Sequence, residues 1–154
     1  GPDYMLPGQQ KMVMTPGQNV KHYLAGALDS STGKIIWVQS NRKRSALFID
    51  LLKKLAREYA DKRVIHLIVD NYVIHTSKIT QKAVEQFAGK ILLHFLPPYC
   101  PDENKIERCV WRELHANVTR NHKCKTMDEL LRQVQAYLAK RNRQAAAKRK
   151  RKAA

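Results

Sequence analysis

The sequence predicts a layered α/β domain, because short apolar runs typical of strands alternate with amphipathic segments typical of helices. The predicted order is strand, strand, helix, strand, helix, strand, helix, helix. A length of 154 residues suits one domain with its own core, and 44% hydrophobic residues is a globular composition. No apolar run reaches the roughly 18–20 residues that a membrane helix needs, which excludes an integral membrane protein.

The first predicted strands form a hairpin that follows a loop. Residues 1–19 are rich in proline and glycine and are expected to be loop-like. Val20–Leu28 is predicted to be a strand, Asp29–Gly33 a turn, and Lys34–Gln39 the returning strand. A helix is then expected over Ser45–Asp61 because its apolar residues recur at helical spacing. Its buried face would consist of Leu47, Leu51, Leu52, Leu55 and Tyr59.

Two further strands frame a short helix. Val64–Val69 is rich in β-branched residues, which suits a buried parallel strand, and it ends at Asp70. Lys78–Phe87 is amphipathic and predicts a helix, and Lys90–Leu96 predicts the last strand, which two prolines end.

Two helices complete the predicted domain. The first covers about Glu103–Val118, and the second begins at Thr126, where Thr126 and Glu129 fit a capping box. The buried stripe of the second helix would consist of Met127, Leu130, Leu131, Val134, Tyr137 and Leu138.

The charge is strongly positive and unevenly placed. There are 29 Lys and Arg against 13 Asp and Glu, a formal net charge of +16, which points to a polyanion such as nucleic acid. Residues 140–152 hold eight basic residues and no acidic one, which leaves +8 on the rest. We therefore divide the chain into a domain over 1–139 and a basic tail over 140–154, which self-repulsion should keep extended or fraying. The tail is either a phosphate-binding arm or a solubilising segment.

Two carboxylates stand where an α/β sheet binds ligands. Asp70 follows an apolar strand directly, at the edge where parallel strands end. Glu107 lies about 100° around its helix from Ile106, at the margin of the buried stripe. Carboxylates that converge in a basic setting can hold Mg²⁺, and a pair of such ions serves phosphodiester chemistry. The alternatives are that Asp70-Asn71 only turns the chain and that Glu107 is an exposed carboxylate near a helix start.

The three cysteines and the histidines give weaker signals. Cys100, Cys109 and Cys124 are odd in number and widely spaced, which indicates a reducing compartment. With His115 and His122 they contain no Cys-x-x-Cys pair, so structural zinc is a minor alternative. His66 and His94 lie within strands and are interpreted as packing positions, as Trp37 and Trp111 are.

The segments VIHLIVDNYVIHTS and LHFLPPYCPDENKIERCVWRELHANVTRNHKC resemble the catalytic domain of DDE-type transposases, in the bacterial insertion-sequence branch related to mariner elements. The family pattern is Asp-Asn at a strand end with a His shortly after, then Leu-Pro-Pro-Tyr-Ser-Pro, then Asn-Pro-Ile-Glu and a Trp. The similarity runs from Pro2 to about Leu131, and Cys100 and Lys105 depart from it at positions that are not ligands.

The resemblance implies an RNase H-like mixed sheet flanked by helices and a Mg²⁺-dependent activity, with Mn²⁺ possible, that cuts and joins DNA strands. Asp70 would be the second metal-binding acid and Glu107 the third, with 36 residues between them. Element ends and target DNA would be partners, with a homodimer in a synaptic complex, in the bacterial cytoplasm at the nucleoid. The residues expected to contact DNA are Asn71, His75, Asn104, Arg108, Arg112, Arg120, Lys123, Lys148, Arg149, Lys150 and Arg151.

One part of the family pattern has no match. The family's first catalytic Asp lies on a strand that precedes the region similar to residues 1–6, and neither Asp3 nor Asp29 replaces it. We therefore expect a truncated domain that lacks its first strand, between the hairpin and the strand ending at Asp70. This keeps open a second hypothesis, a catalytically inactive DNA-binding remnant. A general RNase H-like nuclease unrelated to transposition is a third.

Overall fold

The computed structural model describes residues 4–15, 20–41, 44–69, 78–95, 106–120 and 123–153, which form a five-stranded mixed sheet with helices on both faces. The strands are β1 Tyr4–Thr15, β2 Val20–Leu28, β3 Ile35–Ser40, β4 Ile65–Val69 and β5 Ile91–Phe95, and their order across the sheet is β3-β2-β1-β4-β5. β2 is antiparallel to β1 and β3, whereas β4 is parallel to β1 and β5.

Strand β1 corrects the prediction of a loop over residues 1–19 and of a missing first strand. It occupies the central position, between the hairpin strand β2 and strand β4. Its first half, Tyr4–Gly8, pairs with β4, and its second half, Gly8–Thr15, pairs with β2. Pro7 therefore lies where the strand has a ladder on one side only, so that its missing N–H is tolerated. Proline and glycine favour a loop, and the sequence alone does not show that Pro7 lies where only one neighbouring strand is paired.

Helices cover the sheet on both faces. α1 Arg44–Glu58 and α2 Lys78–Gln86 cover one face, and α4 Met127–Ala153 lies on the other. Beside α4 lies the 107–119 helix, which consists of a π-helical turn Glu107–Trp111, the α-helical stretch α3 Arg112–Leu114 and a second π-helical turn His115–Thr119. In the part of the chain that the structure describes, no helix has the length and apolarity of a membrane span.

Each face of the sheet has its own core. The predicted face of α1 is buried, with Leu47, Leu51, Leu52, Leu55 and Tyr59 all at most 7% exposed. On the other face, β2 and β3 pack against the 107–119 helix and α4. The buried residues of this second core are Leu24, Leu28, Ile35, Ile106, Val110, Trp111, Leu114, Leu130, Val134 and Leu138. The stripe predicted for α4 is thus confirmed, with Met127 and Tyr137 partly buried at its margin.

Among the residues that the structure describes, His22 of β2 has a titration that the fold changes. Burial lowers the pKa of the His22 imidazole below its ordinary value of 6.5, and the negative charge of Asp128 partly opposes this effect. The Nε2 atom of His22 is buried without a hydrogen-bond partner among the described residues. Protonation of the ring is therefore less favourable in the folded chain than in the unfolded one.

The start of α4 confirms the predicted capping box. The Thr126 hydroxyl oxygen accepts a hydrogen bond from the Glu129 amide at 3.2 Å. The Glu129 carboxylate accepts one from the Lys125 amide at 3.1 Å, one residue before the position usual for the motif. These bonds satisfy two amides that would otherwise have no partner at the helix start.

The basic tail is helical, so the expectation of an extended or fraying segment is wrong. α4 continues without interruption from Leu138 through residues 140–153. Hydrogen bonds from Asn142 and Arg149 hold its later turns on the hairpin, and Ala145 lies close to Gly33 between them. The tail also favours a helix locally, because its alanines are strong helix formers and cations near a helix C-terminus interact favourably with the macrodipole.

Candidate active site and basic surface

The carboxyl end of β4 lies next to the centre of the sheet. β4 is hydrogen-bonded to β1 on one side and to β5 on the other. Its residues Ile65, Leu67 and Val69 are 0% exposed, so the strand is anchored up to its last residue. Asp70, Asn71 and His75, which were expected to follow it as metal ligand and DNA contacts, lie outside the described residues.

The helix that begins at Glu107 is fixed by its apolar face. Ile106, Val110, Trp111 and Leu114 are all 0% exposed and belong to the core shared with β2, β3 and α4. Glu107 follows Ile106 directly and precedes Trp111 by four residues, so buried neighbours hold its backbone on both sides. The side chains of Glu107 and Arg108, and all of Asn104, lie outside the described residues.

A close contact between Trp111 and β2 determines how near this helix approaches the sheet. A Cβ atom added at Gly26 would stand 2.9 Å from the ring atoms Cζ2 and Cη2 of Trp111. Real Cβ atoms do not approach ring carbons so closely, so the helix reaches this position because residue 26 has no side chain. Trp111 Nε1 is buried and has no hydrogen-bond partner in the described part of the chain.

The winding of the helix changes around this contact. Arg120 N donates to the carbonyl oxygen of His115 at 2.8 Å, an i to i+5 bond of the π-helical kind. π-helical turns are rare and are often found at functional sites. Here one of the two turns contains both Glu107 and Trp111.

Polar contacts attach α4 to the same helix. Arg141 donates to the Glu113 carboxylate at 2.5 Å and to the Cys109 carbonyl oxygen at 3.0 Å. Tyr137 O–H also donates to Glu113, at 3.4 Å. The charge of Arg141 is thus used between two helices.

His66 and His94 do not have the packing role predicted for them. They point to the face of β4 and β5 opposite α1, where His94 is exposed and His66 half-buried. His66 Nδ1 lies 2.8 Å from His94 Nε2, with the ring centroids 5.1 Å apart. Trp111, by contrast, is a core residue as predicted, and Trp37 lies at the margin of the core.

The predicted DNA contacts of the helices are exposed where they are described. Arg112, Arg120 and Lys123 are exposed on or just after the 107–119 helix, and residues 148–151 are exposed on α4. Within the ranges described, no three His, Cys, Asp or Glu side chains come together as a metal site. Cys109 and Cys124 are partly buried, and Cys100 and His122 lie outside the described residues.

One cluster of basic and hydroxyl residues was not predicted from the sequence. The turn over residues 30–33 meets the basic end of α4, and the two form a hollow that includes Arg141 and Lys152. Its parts are more than 100 residues apart in the chain. One pattern in the sequence could have indicated this cluster. Asn142, Ala145 and Arg149 are spaced by three, four and seven residues, which places them on one face of a helix.

The strand order, the mixed sheet and the helices on both faces are those of the RNase H-like catalytic domains of transposases and integrases. A Mos1 transposase catalytic domain with Raltegravir and Mn aligns with a TM-score of 0.66 and 16% identity, over 88% of this chain and 70% of that one. A Mos1 transposase paired-end complex with the left transposon end aligns with a TM-score of 0.65 and 14% identity, over 88% and 47%. The catalytic core domain of BIV integrase aligns with a TM-score of 0.55 and 14% identity, over 86% and 79%.

The family model described as DDE superfamily endonuclease matches residues 1–131, and the chain belongs to this family. The uncharacterized 39 kDa protein of insertion element IS630 from Shigella sonnei is 49% identical over 138 residues. That alignment covers 90% of this chain, and the chain spans 40% of the length of that relative. The resemblance to transposases of the mariner-related insertion-sequence branch is therefore confirmed.

Proposed function

We propose that this chain is the catalytic part of a transposase that cuts DNA at the ends of its element and joins the freed 3′ hydroxyl to target DNA. Asp70 and Glu107 would hold Mg²⁺ or Mn²⁺. The observation that carries the proposal is their setting. Asp70 follows β4 directly, and Glu107 begins a helix that Ile106 and Trp111 anchor on the same sheet.

The donor set fits a hard cation. Two carboxylates supply oxygen ligands and negative charge, which suit Mg²⁺ and Mn²⁺ better than softer metals. When bound, such ions activate the attacking water or hydroxyl and stabilise the leaving oxygen. The chain would orient the reacting groups, because β4 and the 107–119 helix anchor the backbone next to each carboxylate. Structures of Mos1 catalytic domains with Mg and with Mn support the choice of metal.

The basic residues would position the DNA. Asn71, His75, Asn104 and Arg108 neighbour the two carboxylates in sequence, and we assign them to the DNA close to the cleaved bond. Exposed cations farther away would neutralise phosphates without reading bases. These are Arg112, Arg120, Lys123, Lys148, Arg149, Lys150 and Arg151. Element ends and target DNA are the proposed partners, in a synaptic homodimer at the bacterial nucleoid.

A second candidate, an inactive DNA-binding remnant, is favoured by one observation. Strand β1, at the centre of the sheet, contains no carboxylate. Asp29 does not replace it, because its side chain is 2% exposed and is used within the turn. One oxygen accepts from Ser31 and the other from Tyr59 O–H at 2.8 Å.

A nicking assay separates the two candidates. The chain is incubated with labelled element-end DNA and Mg²⁺ or Mn²⁺, beside Asp70→Asn, Glu107→Gln and the control Glu85→Gln, an exposed carboxylate of α2. The transposase proposal predicts metal-dependent nicking that the first two variants abolish and the control retains. DNA binding without nicking, equal in all four proteins, would refute it and support the remnant.

A further inference from the structure

A hollow of about 420 Å³ lies where the turn between β2 and β3 meets the end of α4. The turn contributes Ser30, Thr32 and Gly33, and α4 contributes Arg141, Lys148 and Lys152. Arg149 lines it as well, and no acidic side chain is among its described lining residues. Cations and hydroxyl groups of this kind bind phosphate oxygens.

The turn side of the hollow is rigid. The buried Asp29 carboxylate accepts hydrogen bonds from the Ser31 amide at 3.0 Å and the Ser31 hydroxyl at 2.8 Å. Its other oxygen is bonded to Tyr59 O–H, which ties the turn to the end of α1. Gly33 has a φ of 77°, a left-handed conformation that glycine adopts without strain. Because the turn is already ordered, little conformational entropy is lost when a ligand binds there.

α4 is fixed against this turn. The Asn142 amide group accepts from Ile35 N at 2.7 Å and donates to the Ile35 carbonyl oxygen at 2.9 Å, so it pairs with the outer side of edge strand β3. A Cβ at Gly33 would lie 3.3 Å from Ala145 Cβ, which shows how closely the helix approaches. Arg149 Nη1 donates to the Thr32 carbonyl oxygen at 2.7 Å, one helical turn further on. The two walls therefore keep a defined spacing.

Two lysines face the hollow with their charges available. Lys148 and Lys152 are exposed and one helical turn apart, on the same face of α4. Neither forms an ion pair with any residue that the structure describes. Within the described residues, Arg149 uses one of its five N–H donors, on Thr32. Arg141 contributes less, because it is paired with Glu113.

The hollow and the carboxyl end of β4 lie toward opposite ends of the strands of the sheet. Gly8 of β1 is level with both Val69 of β4 and Ala27 of β2. β4 runs parallel to β1 and ends at Val69. β2 runs antiparallel to β1, so after Ala27 it continues in the direction opposite to that of β4. The turn after β2 therefore lies toward the opposite end of the strands from the residue that follows Val69.

We propose that this hollow is a second DNA-binding site, which holds the backbone phosphates of a duplex segment away from the bond that is cut. The proposal rests on the proposed function only in taking DNA as the ligand of the chain. The site contributes affinity through Lys148, Lys152 and Arg149 and leaves the chemical step unchanged. It reads no base sequence, because its groups are cations and hydroxyls that match phosphate oxygens.

The test removes the two lysine charges and compares a matched pair on the same helix. The test variant is Lys148→Gln/Lys152→Gln, and the control is Lys140→Gln/Arg143→Gln. The control also removes two exposed positive charges, but from another side of α4, at least about 100° around the helix axis from the midpoint between Lys148 and Lys152. Binding of a fluorescent duplex of about 30 base pairs is measured in EDTA, from ~50 to ~200 mM salt. Omitting metal separates this result from the fate of the catalytic proposal.

The expected result is a specific loss in the first variant. Each phosphate contact contributes a salt slope of about 0.9, so losing two lowers the slope by about 1–2 and the affinity at ~0.1 M salt by about 5- to 60-fold. In the nicking assay, the same variant needs more DNA for half-maximal rate and reaches the wild-type rate at saturation. The control pair changes affinity less than about twofold.

Three results would overturn the proposal. Equal losses in both double variants would show that only the total charge of the helix matters. A lower nicking rate at saturating DNA would place the lysines at the cleaved bond. Loss of binding to a polyglutamate peptide with unchanged affinity for duplex DNA would assign the hollow to an acidic protein.

Discussion

Replacement of Gly26 by alanine tests how the 107–119 helix is held on the sheet. The added Cβ would stand 2.9 Å from two ring atoms of Trp111 and 3.4 Å from the Ile36 carbonyl oxygen. Trp111 is 0% exposed, so its ring is enclosed by the core and cannot turn out into solvent. The methyl group must therefore displace the ring, or separate the helix from β2.

The magnitude follows from the cost of overpacking a core, which is typically about 1–3 kcal/mol. An unfolding entropy of ~2.1 cal/mol/K per residue gives ~0.32 kcal/mol/K for 154 residues, so the melting temperature falls by ~3–9 °C. The sign of the change in the free energy of unfolding is informative, because glycine inside a strand is ordinarily about 0.5–1 kcal/mol less favourable than alanine. Without the contact, Gly26→Ala would stabilise the protein.

The assay is urea unfolding followed by circular dichroism, with Gly89→Ala as the control. No atom outside its immediate chain neighbours lies within 4 Å of a Cβ built at Gly89, so its free energy of unfolding should change by less than about 0.5 kcal/mol. Trp111→Phe removes the two clashing ring atoms, so Gly26→Ala should cost less in that background, with a coupling of about 0.5–3 kcal/mol. Wild-type stability of Gly26→Ala, or costs that simply add, would refute the packing argument.

Three further predictions concern stability. Asn142→Ala leaves the N–H and carbonyl groups of buried Ile35 without partners and should lower the free energy of unfolding by about 1–3 kcal/mol in urea titrations; an unchanged midpoint would contradict the edge pairing. Tyr59→Phe removes the hydroxyl that donates to buried Asp29 at 2.8 Å and should cost a similar ~1–3 kcal/mol, measured as a lower melting temperature. Since the pKa of His22 is lowered in the folded chain, the unfolded chain binds a proton first, and stability falls as the pH drops below 6.5. His22→Gln should remove that part of the loss, and identical pH profiles for the two proteins would contradict it.

The parts of the fold that sequence predicts are those set by local periodicity. Val20–Leu28 is a strand with the predicted bounds, and the faces of α1 and α4 are buried as their spacing indicates. In such segments one repeating apolar pattern determines both the type of element and the side that packs. The capping residues Thr126 and Glu129 likewise act within a few positions of each other.

The parts that sequence does not predict depend on contacts between distant segments. Pro7 is tolerated in a central strand because β2 begins to pair only at Gly8. The charged end of α4 is helical partly because Asn142 finds the edge of β3, 107 residues earlier in the chain. Neither partner can be identified from the residues around the segment in question.

The candidate site, too, has parts that the sequence predicts and parts that depend on contacts between distant segments. The resemblance to the family motif predicts Asp70 and Glu107 as site residues, and the structure adds the anchoring of β4 and of the helix that starts at Glu107. The close approach of Trp111 to Gly26 has no signature in either local sequence, since a glycine in a strand and a tryptophan in a helix are both common. The hollow beside the turn over residues 30–33 required the packing of α4 before it could be recognised.

The central proposal is that Asp70 and Glu107 belong to one divalent-metal site, and Mn²⁺ titration followed by electron paramagnetic resonance tests it most directly. Loss of a residue that only supports a ligand already costs about 10- to 100-fold in metal affinity, so Asp70→Asn and Glu107→Gln should each weaken Mn²⁺ binding at least tenfold. Because the two carboxylates would share one site, the double variant should lose less than the two single losses added together. Wild-type affinity in either single variant, or two fully additive losses, would contradict the account.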